Sequence, residues 1–167
     1  MVVTKRIALT TGDPLGIGFE VSAKALFKVG PKKGFHVFLF RSKSQEKKQP
    51  QYFKLIDKKF SRKVFYSLDS ALNFYEKNYS NLDYKTLIDI SLANSAADWV
   101  YEATLACKNQ KLHSLVTGPL SKKQTATLAN KKMGHTGIFR QIFPRKKLFM
   151  SFLGKDFNVL LATDHIP

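Results

Sequence analysis

Four short segments of this 167-residue sequence hold glycines, hydroxyls, a lysine and histidines that could bind an anion or a metal. They are residues 11–20, 116–122, 134–137 and 163–167. The first carries Gly12, Asp13, Gly16 and Gly18 in a turn predicted between a strand and a helix, where backbone amides favour an anion. Its glycine order does not match the dinucleotide fingerprint, and it lacks the lysine of a P-loop. A tight turn that needs a positive φ is therefore the alternative.

The second and third segments each pair a strand or loop end with the start of a predicted helix. Lys122 lies in a first helical turn, where a cation is mildly unfavourable, so a nearby bound anion would explain it. The alternative is a solvated lysine. His135 and Thr136 could donate to carboxylate or phosphate oxygens. Here the alternative is that Thr136 is an ordinary helix N-cap.

The fourth segment places His165 at the carboxyl end of a predicted strand, a good position for a metal ligand. One histidine does not make a metal site, which needs about three protein ligands. His36 and His113 lie near strand starts, at the opposite end of the predicted sheet, so both are interpreted as structural.

The elements that must position these segments alternate between strand and helix. Strands are predicted over residues 6–11, 36–41, 63–68, 86–90, 113–117, 147–153 and 157–163, and the main helices over 19–29, 52–59, 91–108, 121–129 and 134–143. This order predicts an α/β fold with a mainly parallel sheet and helices on both faces, mixed because the last two strands form a hairpin. The inward residues of two helices are predicted as Val21, Ala25 and Leu26, and as Ala96, Trp99, Val100, Ala103 and Cys107.

Composition restricts the class of protein. The net charge of +16 comes mostly from scattered lysines, and no nucleic-acid-binding motif accompanies it, so steering of anionic substrates is the preferred interpretation. The single cysteine, Cys107, excludes an internal disulfide. No apolar run reaches the ~20 residues of a membrane span, and no signal peptide is recognised. We therefore expect a cytoplasmic protein with no membrane partner.

In this order and spacing, the four segments resemble the 4-hydroxythreonine-4-phosphate dehydrogenase family of vitamin B6 biosynthesis. The resemblance runs along the whole chain and covers the amino-terminal half of a family member. The loop of residues 12–18 also looks like that of isocitrate and isopropylmalate dehydrogenases, so half of that fold is expected. Residues 1–167 would be the amino-terminal portion of a two-domain dehydrogenase whose carboxyl-terminal half is absent.

The resemblance implies a homodimer that oxidises a small phosphorylated substrate with NAD or NADP and a divalent metal (Zn, Mg or Co). The oxidised acid then loses carbon dioxide. By motif match, His135 and Thr136 would contact the substrate, and His165 would be the first of three histidine metal ligands. The loop residues Gly12, Asp13, Gly16 and Gly18, together with Lys122, would line the cleft.

Two departures from the family pattern leave other functions open. Phe19 replaces a proline, and Gly137 replaces a glutamate after the His-Thr pair. Because the other metal histidines lie in the missing half, we expect this chain alone to be inactive, with an exposed sheet edge or apolar face. A separately encoded carboxyl-terminal half would complete it. The alternatives are a sister dehydrogenase of threonate or erythronate 4-phosphate, and a non-catalytic remnant that only binds or dimerises.

Overall fold

A five-stranded parallel sheet forms the centre of the protein. The computed structural model describes residues 4–121 and 134–162. The strands are β1 (Lys5–Thr10), β2 (Phe35–Ser42), β3 (Ser61–Phe65), β4 (Thr86–Leu92) and β5 (Ser114–Thr117). Their spatial order is β3-β4-β2-β1-β5, and every neighbouring pair is parallel. The carboxyl ends of β1 and β5 are therefore side by side.

The predicted antiparallel hairpin exists but is separate from this sheet. Its strands are β6 (Ser151–Leu153) and β7 (Asn158–Leu160), with Phe152 opposite Val159. Each strand has three residues, against the seven predicted, and side chains on both faces are exposed. The α/β class and the mainly parallel sheet are confirmed, and the antiparallel component is a two-stranded ribbon of its own.

Helices cover both faces of the sheet, as predicted. They are α1 (Gly18–Val29), α2 (Gln45–Lys48), α3 (Pro50–Asp57), α4 (Leu68–Asn78), α5 (Ala96–Lys108) and α6 (His135–Ile142), with a 3-10 turn at Tyr79–Asn81. Successive side chains of each strand point to opposite faces of the sheet, so the sheet has one apolar core on each face. Leu39 and Leu87 pack with α1 and α3, whereas Phe38, Phe40 and Ile88 pack with α4 and α5. Within residues 4–121 and 134–162, no helix is long and apolar enough to cross a membrane.

Helix α5 begins later than predicted because Ser91 belongs to β4. Its N-cap is Ser95, and a capping box joins Ser95 to Asp98. The predicted apolar stripe is confirmed, since Trp99, Val100 and Ala103 are fully buried. Cys107 is half-buried at the edge of the same core.

The predicted inward face of α1 is wrong at two positions. Val21 and Ala25 are exposed, and the buried residues are Gly18, Phe19, Ser22, Ala23 and Leu26. The helix is rotated because Phe19 packs into the core, with its ring centroid 4.7 Å from that of Phe53. Phe19, which replaces the proline of the family pattern, therefore helps to attach α1 to α3.

A buried ion network ties three strands together on the α3 side. Arg41 and Asp89 are both fully buried, and the Arg41 Nε donates to Asp89 Oδ1 over 2.7 Å. The Arg62 Nη1 donates to the other carboxylate oxygen over 2.8 Å. Both guanidinium groups lie 4.7 Å from the ring centre of Phe53. The network joins β2, β4 and β3 on the side of the sheet that α3 covers.

Candidate functional site

The first two predicted segments meet at the carboxyl ends of β1 and β5, where ligands bind in open α/β sheets. The amide of Gly118 donates to the Thr10 carbonyl over 2.7 Å, and the amide of Asp13 donates to the Pro119 carbonyl over 2.9 Å. Register explains the contact, because Thr10 and Thr117 are paired at the ends of the two strands. The loops that follow β1 and β5 are therefore one backbone-to-backbone unit.

Glycine is required in this unit chiefly for close packing. Among the glycines of these two loops, only Gly12 has a positive φ, of 75°, so the tight-turn interpretation is confirmed there. A Cβ on Gly12 would overlap the Pro119 carbonyl oxygen, and a Cβ on Gly18 would overlap that of Thr11. A Cβ on Gly118 would lie 2.5 Å from the same Thr11 oxygen. By contrast, a Cβ on Gly16 would lie 3.4 Å from its nearest neighbour, which is ordinary contact.

Asp13 shapes the loop and faces the start of α5. Its Oδ1 accepts from the Leu15 amide over 2.9 Å, and its carbonyl accepts from the Gly16 amide over 2.9 Å. With Ser95 and Ser121, Asp13 also lines a small cavity of about 180 Å³. The cleft-lining role of Asp13 stays a prediction. A ligand that Asp13 contacts would occupy this cavity.

The third segment joins the same site through His135, the first residue of α6. Its ring hydrogen-bonds to the Gly118 backbone, while its buried Nε2 has no hydrogen-bond partner among the described residues. Burial lowers the pKa of His135, and the bond to Gly118 opposes this shift only in part. The imidazole is therefore neutral near pH 7 and has one nitrogen available for a ligand.

Thr136 is not a helix N-cap, so that interpretation is wrong. The N-cap of α6 is Gly134, with no side-chain cap hydrogen bond. Thr136 and His135 instead line a cavity of about 730 Å³ between α5, β5 and α6, which we call the α6 cavity. Its other walls are formed by Thr104, Cys107, Lys108, Ser114, Leu115, Thr117, Phe139, Phe143, Leu148, Phe149 and Met150. The cavity combines a few hydroxyls and an imidazole with an apolar wall, which is typical of small-molecule sites.

Three threonines near this site were missed in the sequence. Thr117 lines the α6 cavity, and the buried hydroxyls of Thr10 and Thr11 have no partner among the described residues. Threonines at the ends of two adjacent strands were a usable signal, but strand order had to be known first. Buried hydroxyls without partners are costly, so these atoms are expected to meet a ligand or water.

Two predicted site residues, Lys122 and His165, lie outside the described residues. The part of the chain that the structure describes has no group of three metal-binding side chains. The other two histidines are structural, as interpreted from the sequence. His36 contacts the Tyr75 hydroxyl at 3.0 Å, and the amide of Arg6 donates to His113 Nδ1 over 3.0 Å.

Comparison with known proteins shows which family has this arrangement. The fold is similar to a crystal structure of a 4-hydroxythreonine-4-phosphate dehydrogenase from Burkholderia phymatum, with a TM-score of 0.66 and 17% identity over 98% of this chain and 51% of that one. Two 4-hydroxythreonine-4-phosphate dehydrogenases are similar in sequence. That of Sulfurihydrogenibium sp. (strain YO3AOP1) is 29% identical over 97% of this chain and 50% of its own length. That of Wigglesworthia glossinidia brevipalpis is 26% identical over 97% and 49%.

The chain thus spans about half the length of the curated relatives that it matches. The sequence profile of one family, described as pyridoxal phosphate biosynthetic protein PdxA, matches residues 41–167. That range includes the β5 loop and the His135-Thr136 pair. On this match the chain belongs to the PdxA family of pyridoxal phosphate biosynthetic proteins.

Proposed function

We propose that this chain provides the amino-terminal half of a cytoplasmic 4-hydroxythreonine-4-phosphate dehydrogenase that works in pyridoxal phosphate biosynthesis. The reaction is the NAD(P)-dependent, metal-assisted oxidation of 4-phosphohydroxy-L-threonine, followed by loss of carbon dioxide. The observation that carries the proposal is the open Nε2 of His135, held beside the loops that follow β1 and β5. We further propose that the complete enzyme is a homodimer and that 167 residues alone have no activity.

His135 and Thr136 are the substrate contacts in this proposal. The neutral imidazole donates from its other nitrogen to the Gly118 carbonyl, because the Gly118 amide already donates to Thr10. Its Nε2 therefore carries the lone pair and can accept a hydrogen bond from a hydroxyl or ammonium group of the substrate. The bond between the ring and the Gly118 backbone fixes the orientation of the imidazole. The Thr136 hydroxyl lines the same cavity and can donate beside it. Together these groups would orient the substrate and exclude water from one side of it.

The metal and the nicotinamide fit this half only in part. A divalent metal would be held by His165 and by ligands outside the described residues, which contain no cluster of their own. When bound, the two groups supply Lewis-acid polarisation of a hydroxyl and a hydride acceptor. Because the glycines of the first loop are explained by backbone packing, we assign the cofactor to the other half of the family sequence.

Gly137 is the observation that favours a second candidate. Family members carry glutamate where this chain has no side chain, directly beside the two proposed substrate contacts. A sister dehydrogenase of threonate or erythronate 4-phosphate would differ in the hydrogen bonds made at this point. A remnant that only binds or dimerises would instead lack turnover with any of the three substrates.

The test uses this chain mixed with the carboxyl-terminal half of the Sulfurihydrogenibium enzyme, a divalent metal and NAD or NADP. His135→Asn is compared with the control His113→Asn, which lies at the opposite end of the sheet. Loss of the hydrogen bond that Nε2 accepts from a substrate hydroxyl or ammonium group should lower kcat/KM about 10- to 100-fold. The control variant should be unchanged.

The same assay with all three phosphorylated substrates separates the candidates. Preference for 4-phosphohydroxy-L-threonine agrees with the proposal, and preference for a sugar acid phosphate replaces it by the sister activity. If His135→Asn and His113→Asn are equally active, His135 does not contact the substrate.

A further inference from the structure

Positive charge is concentrated on α2, α3 and the turns that flank these two helices. Residues 43–63 contain eight lysine or arginine residues and two carboxylates, which give a net charge of +6. Residues 68–108, which form α4, β4 and α5, contain three lysines and six carboxylates, which give a net charge of −3. The lysines look scattered in the sequence, but the fold separates a basic region from an acidic one.

Arginine side chains take up both carboxylates of the basic region. Glu46 accepts from the Arg41 Nη2 over 3.0 Å, and Asp57 accepts from the Arg62 Nε over 2.6 Å. Six exposed lysines on α2, α3 and their flanking turns form no ion pair with a described residue, and we call them the α3 surface: Lys43, Lys47, Lys48, Lys54, Lys58 and Lys59. Their charges are therefore available to a partner.

Helix α3 holds part of this surface in a fixed direction. Phe53 and Ile56 are buried against the sheet, so the opposite side of the helix faces solvent. Lys54 and Lys58 are four residues apart on that outer side, which places their side chains next to each other. The two lysines of α2 extend the array, because α2 packs against α3.

The chemistry of the α3 surface restricts the kind of partner. No large apolar side chain of residues 43–63 is mostly exposed, although protein interfaces and membrane-inserting surfaces need such anchors. Single-stranded nucleic acid needs aromatic rings for stacking, but Phe53 and Phe60 are buried and Tyr52 is half-buried with its hydroxyl bonded to Glu20. Lysines without such anchors suit the phosphates of a duplex.

The α3 surface is separate from the candidate site. Helix α3 packs on the same face of the sheet as α1, whereas the α6 cavity is lined by α5 and α6 on the other face. A partner on the α3 surface would therefore leave His135 and the α6 cavity accessible.

We propose that the α3 surface binds the phosphate backbone of double-stranded nucleic acid. Lysine is a compact point charge without the rigid fork of arginine, so the surface contacts phosphates and has no sequence preference. This binding is a further activity of the chain, and it does not depend on the proposed dehydrogenase reaction.

Fluorescence anisotropy tests the proposal with the 167-residue chain and a labelled duplex of mixed sequence, at salt concentrations from about 0.05 to 0.2 M. Duplex RNA and duplex DNA share the phosphate chemistry and are measured separately, and the tighter of the two identifies the nucleic acid. Single strands of the same sequence and vesicles containing phosphatidylserine are the comparison probes, because lysine clusters also attract anionic lipids.

Two triple variants separate the α3 surface from the overall charge. The first combines Lys47→Gln, Lys54→Gln and Lys58→Gln. The matched control combines Lys77→Gln, Lys85→Gln and Lys111→Gln, which are exposed lysines outside the α3 surface. Both variants lose three positive charges, and circular dichroism confirms that each is folded before binding is measured.

We expect duplex binding with a Kd between about 1 μM and 0.1 mM near physiological salt, and a linear fall of log K with log salt concentration. Each phosphate contact contributes about 0.9 to that slope, so the first variant should reduce the slope by about 2 to 3. It should also weaken binding about tenfold or more at 0.1 M salt, while the control should keep the slope of the parent.

Four results overturn the proposal. The first is no binding of either duplex at the lowest salt concentration. The second is an equal loss of affinity in the two triple variants, which would assign the binding to net charge alone. The third is tighter binding of single strands than of the duplexes. The fourth is tighter binding of the anionic vesicles, which would make the partner a lipid surface.

Discussion

At the scale of single residues, Gly12 and Gly18 of the loop after β1 are required because backbone carbonyl groups pack closely against them. Gly18 allows the carbonyl of Thr11 to approach the first turn of α1, and Gly16 has no such neighbour. This difference could not be predicted from the spacing of glycines, because the crowding comes from the chain folding back on itself. The sequence correctly indicated a positive φ, and the structure assigns it to Gly12.

Gly18→Ala should therefore destabilise the protein, and Gly16→Ala is its matched control. Overpacking of this kind costs about 1 to 3 kcal/mol. Gly16→Ala should be within about 1 kcal/mol of the parent, since it reduces the freedom of the unfolded chain. Urea unfolding of the three proteins measures both effects. Equal stability of the two variants would contradict the packing account.

The lowered pKa values of three histidines allow the pH dependence of stability to be predicted. Burial lowers the pKa of His36 below its ordinary value of 6.5, and the pKa values of His113 and His135 are lowered too. The unfolded chain then binds more protons than the folded chain, so stability is complete above about pH 6.5 and is lost as the pH falls below it. Denaturation between about pH 8 and pH 5 should show this slope, and His36→Asn should reduce it. A slope of opposite sign would be inconsistent with these pKa directions.

At the scale of elements, the order of the strands and the longer helices was predictable where the apolar period is clear. The helix predicted over residues 121–129 lies outside the described residues apart from Ser121, and the short helix α2 was not predicted. The orientation of α1 was not predictable, since the helix has apolar residues on two sides and packing of Phe19 decides between them. The contact of α6 with the β5 loop also could not be read from the sequence. It depends on a single ring, His135, that reaches the Gly118 backbone.

The buried ion network gives the sharpest stability test of the sheet. Asp89→Ala would leave Arg41 buried without its carboxylate, and loss of one member of a buried pair costs about 3 to 5 kcal/mol. The control is Asp57→Ala, which removes an ion pair of Arg62 at a half-exposed site and should cost about 1 kcal/mol or less. Denaturant unfolding measures both variants, and similar losses would argue against a structural role for the buried pair.

At the scale of the whole molecule, the chain spans about half the length of the curated relatives that it matches, and it has apolar side chains on its surface. Among the described residues, Val21 and Val29 of α1 and Val116 of β5 are exposed. The charge of +16 opposes association between copies, while the apolar surfaces favour it. Sedimentation at low and high salt should therefore show more self-association as screening increases. A monomer at every salt concentration would show that the exposed apolar side chains do not cause self-association.

The central claim is that this chain is one half of a dehydrogenase that needs the other half for turnover. The most direct measurement is reduction of NAD or NADP with 4-phosphohydroxy-L-threonine and a divalent metal, for the 167-residue chain alone and mixed with the carboxyl-terminal half of the Sulfurihydrogenibium enzyme. We predict no reduction by either half alone and metal-dependent reduction by the mixture. Turnover by the chain alone, or no turnover by a mixture that has formed a complex, would contradict the claim.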